Sequence, residues 1–364
     1  MSIVDTLESG GAERVAVNIA NLLPRDRFTS YLCATRRTGP LEKLVAPDVG
    51  LLKLERTRRF DINALRRLVT FIGDRRVRIL HAHGTSLFIA AVSSLFPPYP
   101  MVIWHDHFGR YAIEERSAPI YRMLSRRIAG VIAVNEPLAE WSRDRLGVRA
   151  DRVWYLPNAV YSEKPGDRPP VLPGQPGARI VCVANFRPQK DHLTLIAAMK
   201  QVLRSVPSAH LLLVGAATDS EYFDFIRGEI SRQCLRPNVS ILGERRDVPD
   251  VLEACDVGVL SSVSEGFPLT LIEYGAAGLP AVATRTGQCA EILDDGQAGI
   301  LVPPKSTGDL AAALLSLLGS AGKRATLARA LRRRVRVKYS PGPIVQQICK
   351  IYESVLATSA WETN

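Results

Sequence analysis

Short apolar runs alternate with stretches of helical spacing along most of this chain, and that alternation predicts strands each followed by a helix. In the first half the runs Ile3–Asp5, Tyr31–Ala34, Leu51–Leu54, Ile79–Gly84, Met101–Trp104, Gly130–Asn135 and Val153–Leu156 read as strands. Val15–Leu23, Asp61–Asp74 and Glu136–Leu146 read as helices, the second with Ile62, Leu65, Leu68, Val69 and Ile72 on one face. A stretch rich in proline and glycine, 161–178, interrupts the rhythm and reads as a linker. The alternation resumes with strands at Arg179–Asn185, Ser208–Gly215, Asn238–Gly243, Asp256–Ser261, Pro280–Thr284 and Gly299–Pro303, and with helices at His192–Val206, Thr307–Leu318 and Pro343–Ala357. The expected fold class is α/β, with two parallel, doubly wound domains at 1–160 and 179–340 and a closing helix within 341–364. Ligands of such sheets bind beyond the carboxyl ends of the strands, so the loops after Val4, Leu80 and Ile103 should share one rim.

Composition narrows the class. At 364 residues, 46% hydrophobic, the chain is long enough for two cores. Six cysteines lie far apart with no Cys-x-x-Cys spacing, as expected of small buried residues in a reducing compartment rather than a disulfide or zinc framework. Apolar runs such as Leu87–Phe96 and Leu310–Leu318 fall short of the ~20 residues that a spanning helix needs, and no signal-peptide pattern opens the chain. A cytoplasmic location is the expectation. The net charge of +11 calls for anionic partners. Arg56–Arg59, Arg66-Arg67, Arg75-Arg76, Arg126-Arg127 and Arg332–Lys338 carry local clusters, but none is interleaved with aromatic residues as a single-strand groove would be. No nucleic-acid partner is expected. Solvated helix faces account for most of the clusters, and a peripheral position on the anionic inner face of a membrane is the second reading.

The strongest local signal is Ser261–Gly278. An apolar run beginning after Asp256 ends in Glu265-Gly266-Phe267-Pro268, and helical spacing follows. Pro268 suits the first helical position, which leaves the amides of Leu269 and Thr270 unpaired at the positive end of the helix dipole. Such a tip holds a phosphate without a metal. Glu265 and Glu273, eight positions apart, bracket it with acceptors suited to a polyol.

With Asp256 before it and Ala276–Pro280 after it, this stretch resembles the Glu-x7-Glu signature of retaining glycosyltransferases of the GT-B fold, family 4 (group 1). The resemblance runs from Gly10 to about Tyr352 and implies two Rossmann-like domains facing across a cleft, with a C-terminal helix crossing back to the first domain. It implies a nucleotide-diphosphate sugar as donor and a saccharide or lipid-linked acceptor. It assigns Glu265 to the transferred sugar, Glu273 to the ribose, and Gly266, Phe267, Leu269 and Thr270 to the donor loop. Arg187 and Lys190, three apart after the strand at Arg179, match the family's pair on the donor phosphates, a fork and a point charge. Gly10 and Gly11 match a glycine loop near the diphosphate, where glycine lets backbone amides come close. His105 matches a histidine beside the donor sugar, with His107 as runner-up.

His105-Asp106-His107 also offers His-x-His beside a carboxylate. One short loop supplies too few ligands without further His, Cys or carboxylate nearby, so no metal and no cofactor is expected. The absence of any Asp-x-Asp tripeptide agrees with metal-free transfer. Three features depart from the family pattern: a first strand that starts late, Ala159 where glycine is usual after Pro157-Asn158, and Arg285–Gln288 with one glycine in place of two. Two alternatives keep the fold, a sugar-nucleotide epimerase or phosphorylase and a binding protein without turnover. A basic nucleic-acid-binding protein is the non-enzyme alternative.

Overall fold

A computed structural model of the chain describes residues 1–8, 10–58, 61–108, 116–159 and 170–361, with side chains to 357. The chain divides into two compact units. One holds the described residues of Met1–Ala159 together with those from Pro341 on, and the other holds those up to Ser340.

In the first unit the strands are β1 (Ser2–Thr6), β2 (Tyr31–Arg37), β3 (Gly50–Lys53), β4 (Ile79–His83), β5 (Met101–Asp106), β6 (Gly130–Ala133) and β7 (Val153–Tyr155). They form one parallel sheet in the order β3-β2-β1-β4-β5-β6-β7. The second unit contains β8 (Arg179–Val183), β9 (His210–Val214), β10 (Val239–Gly243), β11 (Val257–Leu260), β12 (Ala281–Thr284) and β13 (Ile300–Val302), parallel in the order β10-β9-β8-β11-β12-β13. Both orders reverse direction once, between β1 and β4 and between β8 and β11. Those reversals are the switch points where loops leave in opposite senses and open a crevice.

Central strands are apolar on both faces because helices cover both sides, as β9 and β11 are buried along their whole length. Side-chain caps start several helices at the positions the amides require. Asp61 accepts from the Ala64 amide, Asn135 from Leu138, Asp191 from Thr194, Asp219 from Tyr222 and Ser320 from Lys323. The core of the second unit joins helix His192–Ser205, through Leu195, Met199 and Val202, to Leu211 and Leu213 of β9 and to Leu310 and Leu314 of helix Thr307–Leu318. In the first unit, helix Pro341–Trp361 buries Ile348, Ile351 and Tyr352. Tyr352 meets Phe28 edge to face at 5.8 Å.

The structure corrects several sequence expectations. Ile62 stands 74% exposed, and the buried face of its helix is Ala64, Leu68 and Ile72. The first helix begins at Gly11, four residues before the apolar pattern shows it, because its first turn is solvent-facing. Of the linker read over 161–178, residues up to 169 lie outside the described residues. From Leu172 on the segment is fastened to the second unit, because Arg179 donates to the carbonyls of Leu172 (3.0 Å), Pro173 (3.1 Å) and Gly174 (2.8 Å). Asp256 tightens the same corner by accepting from the amides of Gly177 (2.8 Å) and Arg179 (2.9 Å). All six cysteines are free thiols; Cys234 is exposed and Cys255 half-buried, the other four buried. Arg66, Arg67, Arg75, Arg76, Arg126 and Arg127 are exposed, whereas Arg334 of the last cluster bonds the Glu291 carbonyl and pairs with Asp294. Among the described residues no helix is long and apolar enough to cross a membrane.

Candidate active site

The second unit's switch point gathers most of the residues singled out from sequence. The register of β8 and β11 holds at Val257 with Ile180 and at Gly258 with Val181. Beyond that the strands part, and Tyr274 fills the gap. Its hydroxyl accepts from the Val183 amide (3.0 Å) and faces the carbonyls of Val181 (3.2 Å) and Val259 (3.1 Å). Gly258 has no Cβ because the Tyr274 ring lies where one would stand. Thr270 adds a second tie, its Oγ1 donating to the Val183 carbonyl at 2.9 Å. Helix Leu269–Ala277 is thereby pinned with its N-terminus over the end of β8.

Pro268 is the N-cap of this helix rather than its first residue, with extended φ −75° and ψ 98°. Its carbonyl accepts from Leu271 at 3.2 Å, which places the amides of Leu269 and Thr270 in the first turn of the helix. Gly278 ends the helix at φ +75°, in the left-handed region that favours glycine. Gly275 lets helix Ala321–Lys338 lie close, since a Cβ there would meet Leu331 and Val335.

The loops after β8 and β11 hold one another. Val263 donates to the Gln189 carbonyl (2.9 Å) and Ser261 Oγ to that of Lys190 (2.9 Å). Lys190 Nζ meets Glu265 Oε1 at 2.6 Å, and Ser262 Oγ donates to the same oxygen. Glu265 is 7% exposed, a buried carboxylate made affordable by that ammonium and hydroxyl. Arg187 turns elsewhere, its Nε donating to Thr218 Oγ1 at 3.0 Å on the loop after β9. Glu273 is half-buried on the helix, and Gly266 and Phe267 are buried. The loop after β12 closes over the top: Gly287, at φ +51°, abuts the Glu265 backbone, and Thr284 Oγ1 donates to the Ser262 carbonyl. Sequence reasoning noted Gly287 only as a lone glycine; its positive φ and contact with Glu265 make it part of the site. Tyr274 was missed, and a tyrosine inside a buried helix was the signal.

In the first unit, Gly10 is the N-cap of helix Gly11–Leu22 in extended conformation, and the Glu13 carboxylate folds over it where a Cβ would stand. Asp5, at the end of β1, is a hub that sequence reasoning passed over. It accepts from Thr35 (2.6 Å) and Thr85 (2.5 Å) and pairs with the buried Arg56 (3.4 Å). Strand β5 runs through His105 and Asp106, two residues further than the apolar run suggested. His105 therefore lies inside the sheet, 2% exposed, with Nδ1 3.1 Å from His81 Nε2, while His107 just beyond is half-buried. Burial keeps both imidazoles well below the usual histidine range and hence neutral. Asp106 takes no part with them, because Arg116 holds its two oxygens at 2.9 and 2.5 Å.

The chain matches the family model described as Glycosyltransferase Family 4 over residues 9–164 and the model described as Glycosyl transferases group 1 over residues 177–320. It is 26% identical over 306 residues to a phosphatidyl-myo-inositol mannosyltransferase of Mycolicibacterium smegmatis, covering 82% of this chain and 76% of the relative. It is 24% identical over 297 residues to the UDP-Gal:alpha-D-GlcNAc-diphosphoundecaprenol alpha-1,3-galactosyltransferase of Escherichia coli, covering 75% and 76%. Among solved structures, Anabaena HepE in complex with UDP-glucose superposes with a TM-score of 0.80 at 21% identity, over 97% of this chain and 100% of that one.

Proposed function

The chain belongs to the family 4 (group 1) glycosyltransferases and has their GT-B fold, and from that premise we propose that it transfers a hexosyl group, with retention and without a metal, from a nucleoside-diphosphate sugar to a saccharide or lipid-linked acceptor. The observation that carries the reading is the Lys190–Glu265 pair at a switch point, with Glu265 on the loop that leads into the N-terminus of helix Leu269–Ala277. One cation and one helix N-terminus suit a diphosphate, and the carboxylate beside them suits a sugar hydroxyl.

In the proposed reaction the bond from the anomeric carbon to the phosphate oxygen breaks as the bond to the acceptor oxygen forms on the same face. The acceptor's proton passes to the departing phosphate, and a nucleoside diphosphate leaves. Charge grows on the phosphate oxygens, so fixed donors there lower the barrier more than they stabilise the bound donor. Lys190 and the amides of Leu269 and Thr270 supply those donors, with the loop Gly266-Phe267 shaping their approach, and Arg187, which bonds Thr218 in the free chain, joins them by turning its guanidinium. Glu265 binds hydroxyls of the transferred sugar, Glu273 the ribose, and Gly10 and Gly11 offer amides to the diphosphate. His105, the histidine that the family resemblance assigns to the donor sugar, orients it. The mannosyltransferase and galactosyltransferase relatives act by name on phosphatidylinositol and on a diphosphoundecaprenol-linked sugar, which supports a lipid-linked acceptor. That acceptor class, with the net charge of +11, supports work at the cytoplasmic face of a membrane in polysaccharide or glycolipid synthesis.

The test is transfer itself. Incubation with a panel of nucleoside-diphosphate hexoses and lipid-linked acceptors should give a product of retained anomeric configuration, in the presence of chelator. Glu265→Ala, or Arg187→Ala with Lys190→Ala, should abolish it; transfer at wild-type rates in both variants sinks the assignment.

A further inference from the structure

Strand pairing in the first unit does what the sequence order hides, because it sets a second His-x-His beside the first. His81 and His83 lie on one face of β4, and His83 is the register partner of His105 on β5. Ring centroids stand 4.5 Å apart for His81 and His83, 5.0 Å for His83 and His105, and 4.1 Å for His105 and His107. His81, His83 and His105 are 0%, 3% and 2% exposed. The premise that further ligands were lacking near His105 is thus corrected.

Hydrogen bonds account for only part of this cluster. His81 Nδ1 meets the Tyr352 hydroxyl at 2.7 Å, His81 Nε2 meets His105 Nδ1 at 3.1 Å, and His83 Nδ1 meets His107 Nε2 at 3.0 Å. Nε2 of His83 and Nε2 of His105 are buried without a partner among the described residues. Two unpaired polar atoms in one buried cluster carry a cost of about 1–3 kcal/mol each. One tautomer set resolves it. With Nδ1–H of His83 donating to His107, Nδ1–H of His105 to His81, and Nδ1–H of His81 to Tyr352, both orphan nitrogens present lone pairs. Donation of the other ring N–H outward is the support pattern of a metal-bound imidazole.

We propose that His81, His83 and His105 form a binding site for a borderline transition-metal cation such as Zn²⁺, with the orphan nitrogens of His83 and His105 as its first donors and Nε2 of His81 as the third once it releases the His105 Nδ1–H. One ring nitrogen from each of the three lies within 4.8 Å of the other two. Tetrahedral zinc with nitrogen ligands at about 2.0–2.1 Å sets them roughly 3.3 Å apart, so ring rotation has a small gap to close. An imidazole-only set favours zinc or copper over magnesium or calcium, which require oxygen. Burial keeps the rings neutral, the form that ligates. Water or an anion completes the fourth position. The bound ion would staple β4 to β5 and hold the His105 ring by the Nε2 that is otherwise left for the sugar, and metal binding and sugar transfer are measured apart.

The full chain, stripped with chelator and titrated at pH 7.5 with Zn²⁺ and with Co²⁺ as a coloured probe, should bind one equivalent. Cobalt should show the visible bands of a tetrahedral site, and the melting temperature should rise. Cys234→Ser serves as background to remove the exposed thiol. His83→Gln should weaken binding at least tenfold, and Tyr352→Phe, which removes only the support on His81, should weaken it less. X-ray absorption of the zinc-loaded wild type gives a reading that depends on no variant: a shell of imidazole nitrogen and water supports the site. A thiolate- or carboxylate-containing shell, absence of stoichiometric binding, or unchanged affinity in a folded His83→Gln chain overturns it.

Discussion

Lys190 and Glu265, 75 positions apart in sequence, meet at 2.6 Å over the end of β8, so the cation proposed for a phosphate is already held by the carboxylate proposed for a sugar. The pair makes Glu265 a competitor for Lys190 as well as a sugar ligand. Replacing it by Gln should free the ammonium. Glu265→Gln is expected to bind a nucleoside diphosphate as tightly as wild type or several-fold more tightly, while transfer falls on the order of 100-fold or more. Lys190→Ala should lower both. Calorimetry across a nucleoside-diphosphate panel, set against transfer rates, separates the two; weaker diphosphate binding in Glu265→Gln would refute the competition.

Tyr274 is expected to matter through placement. Phe at this position keeps the ring against Gly258 but leaves the Val183 amide and two strand carbonyls without their shared hydroxyl. A loss of about 1–3 kcal/mol should follow, read by denaturant unfolding of the full chain. Because the helix tip rests on this anchor, diphosphate affinity should fall in Tyr274→Phe although no ligand contact is removed. Unchanged stability and affinity would mean that Thr270 alone holds the helix.

Gly287 offers a sharper test of the loop over Glu265. At φ +51° an L side chain is strained, and a Cβ there would sit 2.7 Å from the Glu265 carbonyl carbon, against backbone that cannot yield cheaply. Gly287→Ala should displace the Glu265–Gly266 loop and cut transfer strongly while secondary structure persists. Gly228 is the control. It lies inside helix Ser220–Arg232 with nothing near its missing Cβ, so Gly228→Ala should stabilise by about 0.4–1 kcal/mol and leave transfer alone. Equal activity in the two variants would contradict this account.

These residues also show where the sequence is informative. The strand, loop and helix of Ser261–Gly278 were legible because each signal is local: an apolar run, a Gly-Phe-Pro turn, and apolar spacing after it. The Arg187–Lys190 loop was legible for the same reason. What stayed hidden depends on pairing between distant segments. Nothing near residue 105 announces that β4 will set His81 and His83 against it, and nothing near residue 256 says that its carboxylate will close the corner before β8 rather than serve the site. Helix Ala321–Lys338 escaped notice because its exposed surface is basic and only Leu331 and Val335 are buried, with Leu327 half-buried against the core. The two-residue extension of β5 was invisible because His105 and Asp106 are polar, and their burial is arranged by His81 and Arg116 from elsewhere.

Acid should destabilise the second unit through His192. This imidazole opens helix His192–Ser205, is fully buried, stacks on Phe186 at 4.7 Å and has both ring nitrogens without a hydrogen-bond partner among the described residues. Burial first, and the nearby Lys190 ammonium second, pull it down to about 4 from the usual 6.5; Tyr222 and Asp191 are the other titratable groups around it. The sign follows from proton counts. Between these two values the unfolded chain binds the proton and the folded chain does not, so stability is fully present above pH 6.5 and drains as the pH falls towards 4. The loss from this one group is about 2 kcal/mol by pH 5 and on the order of 3 kcal/mol at the bottom of the window. His192→Leu removes the titration and keeps an apolar side chain against Phe186. Its unfolding free energy should fall less steeply between pH 7 and pH 5 than that of wild type, and parallel curves would show that the proton goes elsewhere.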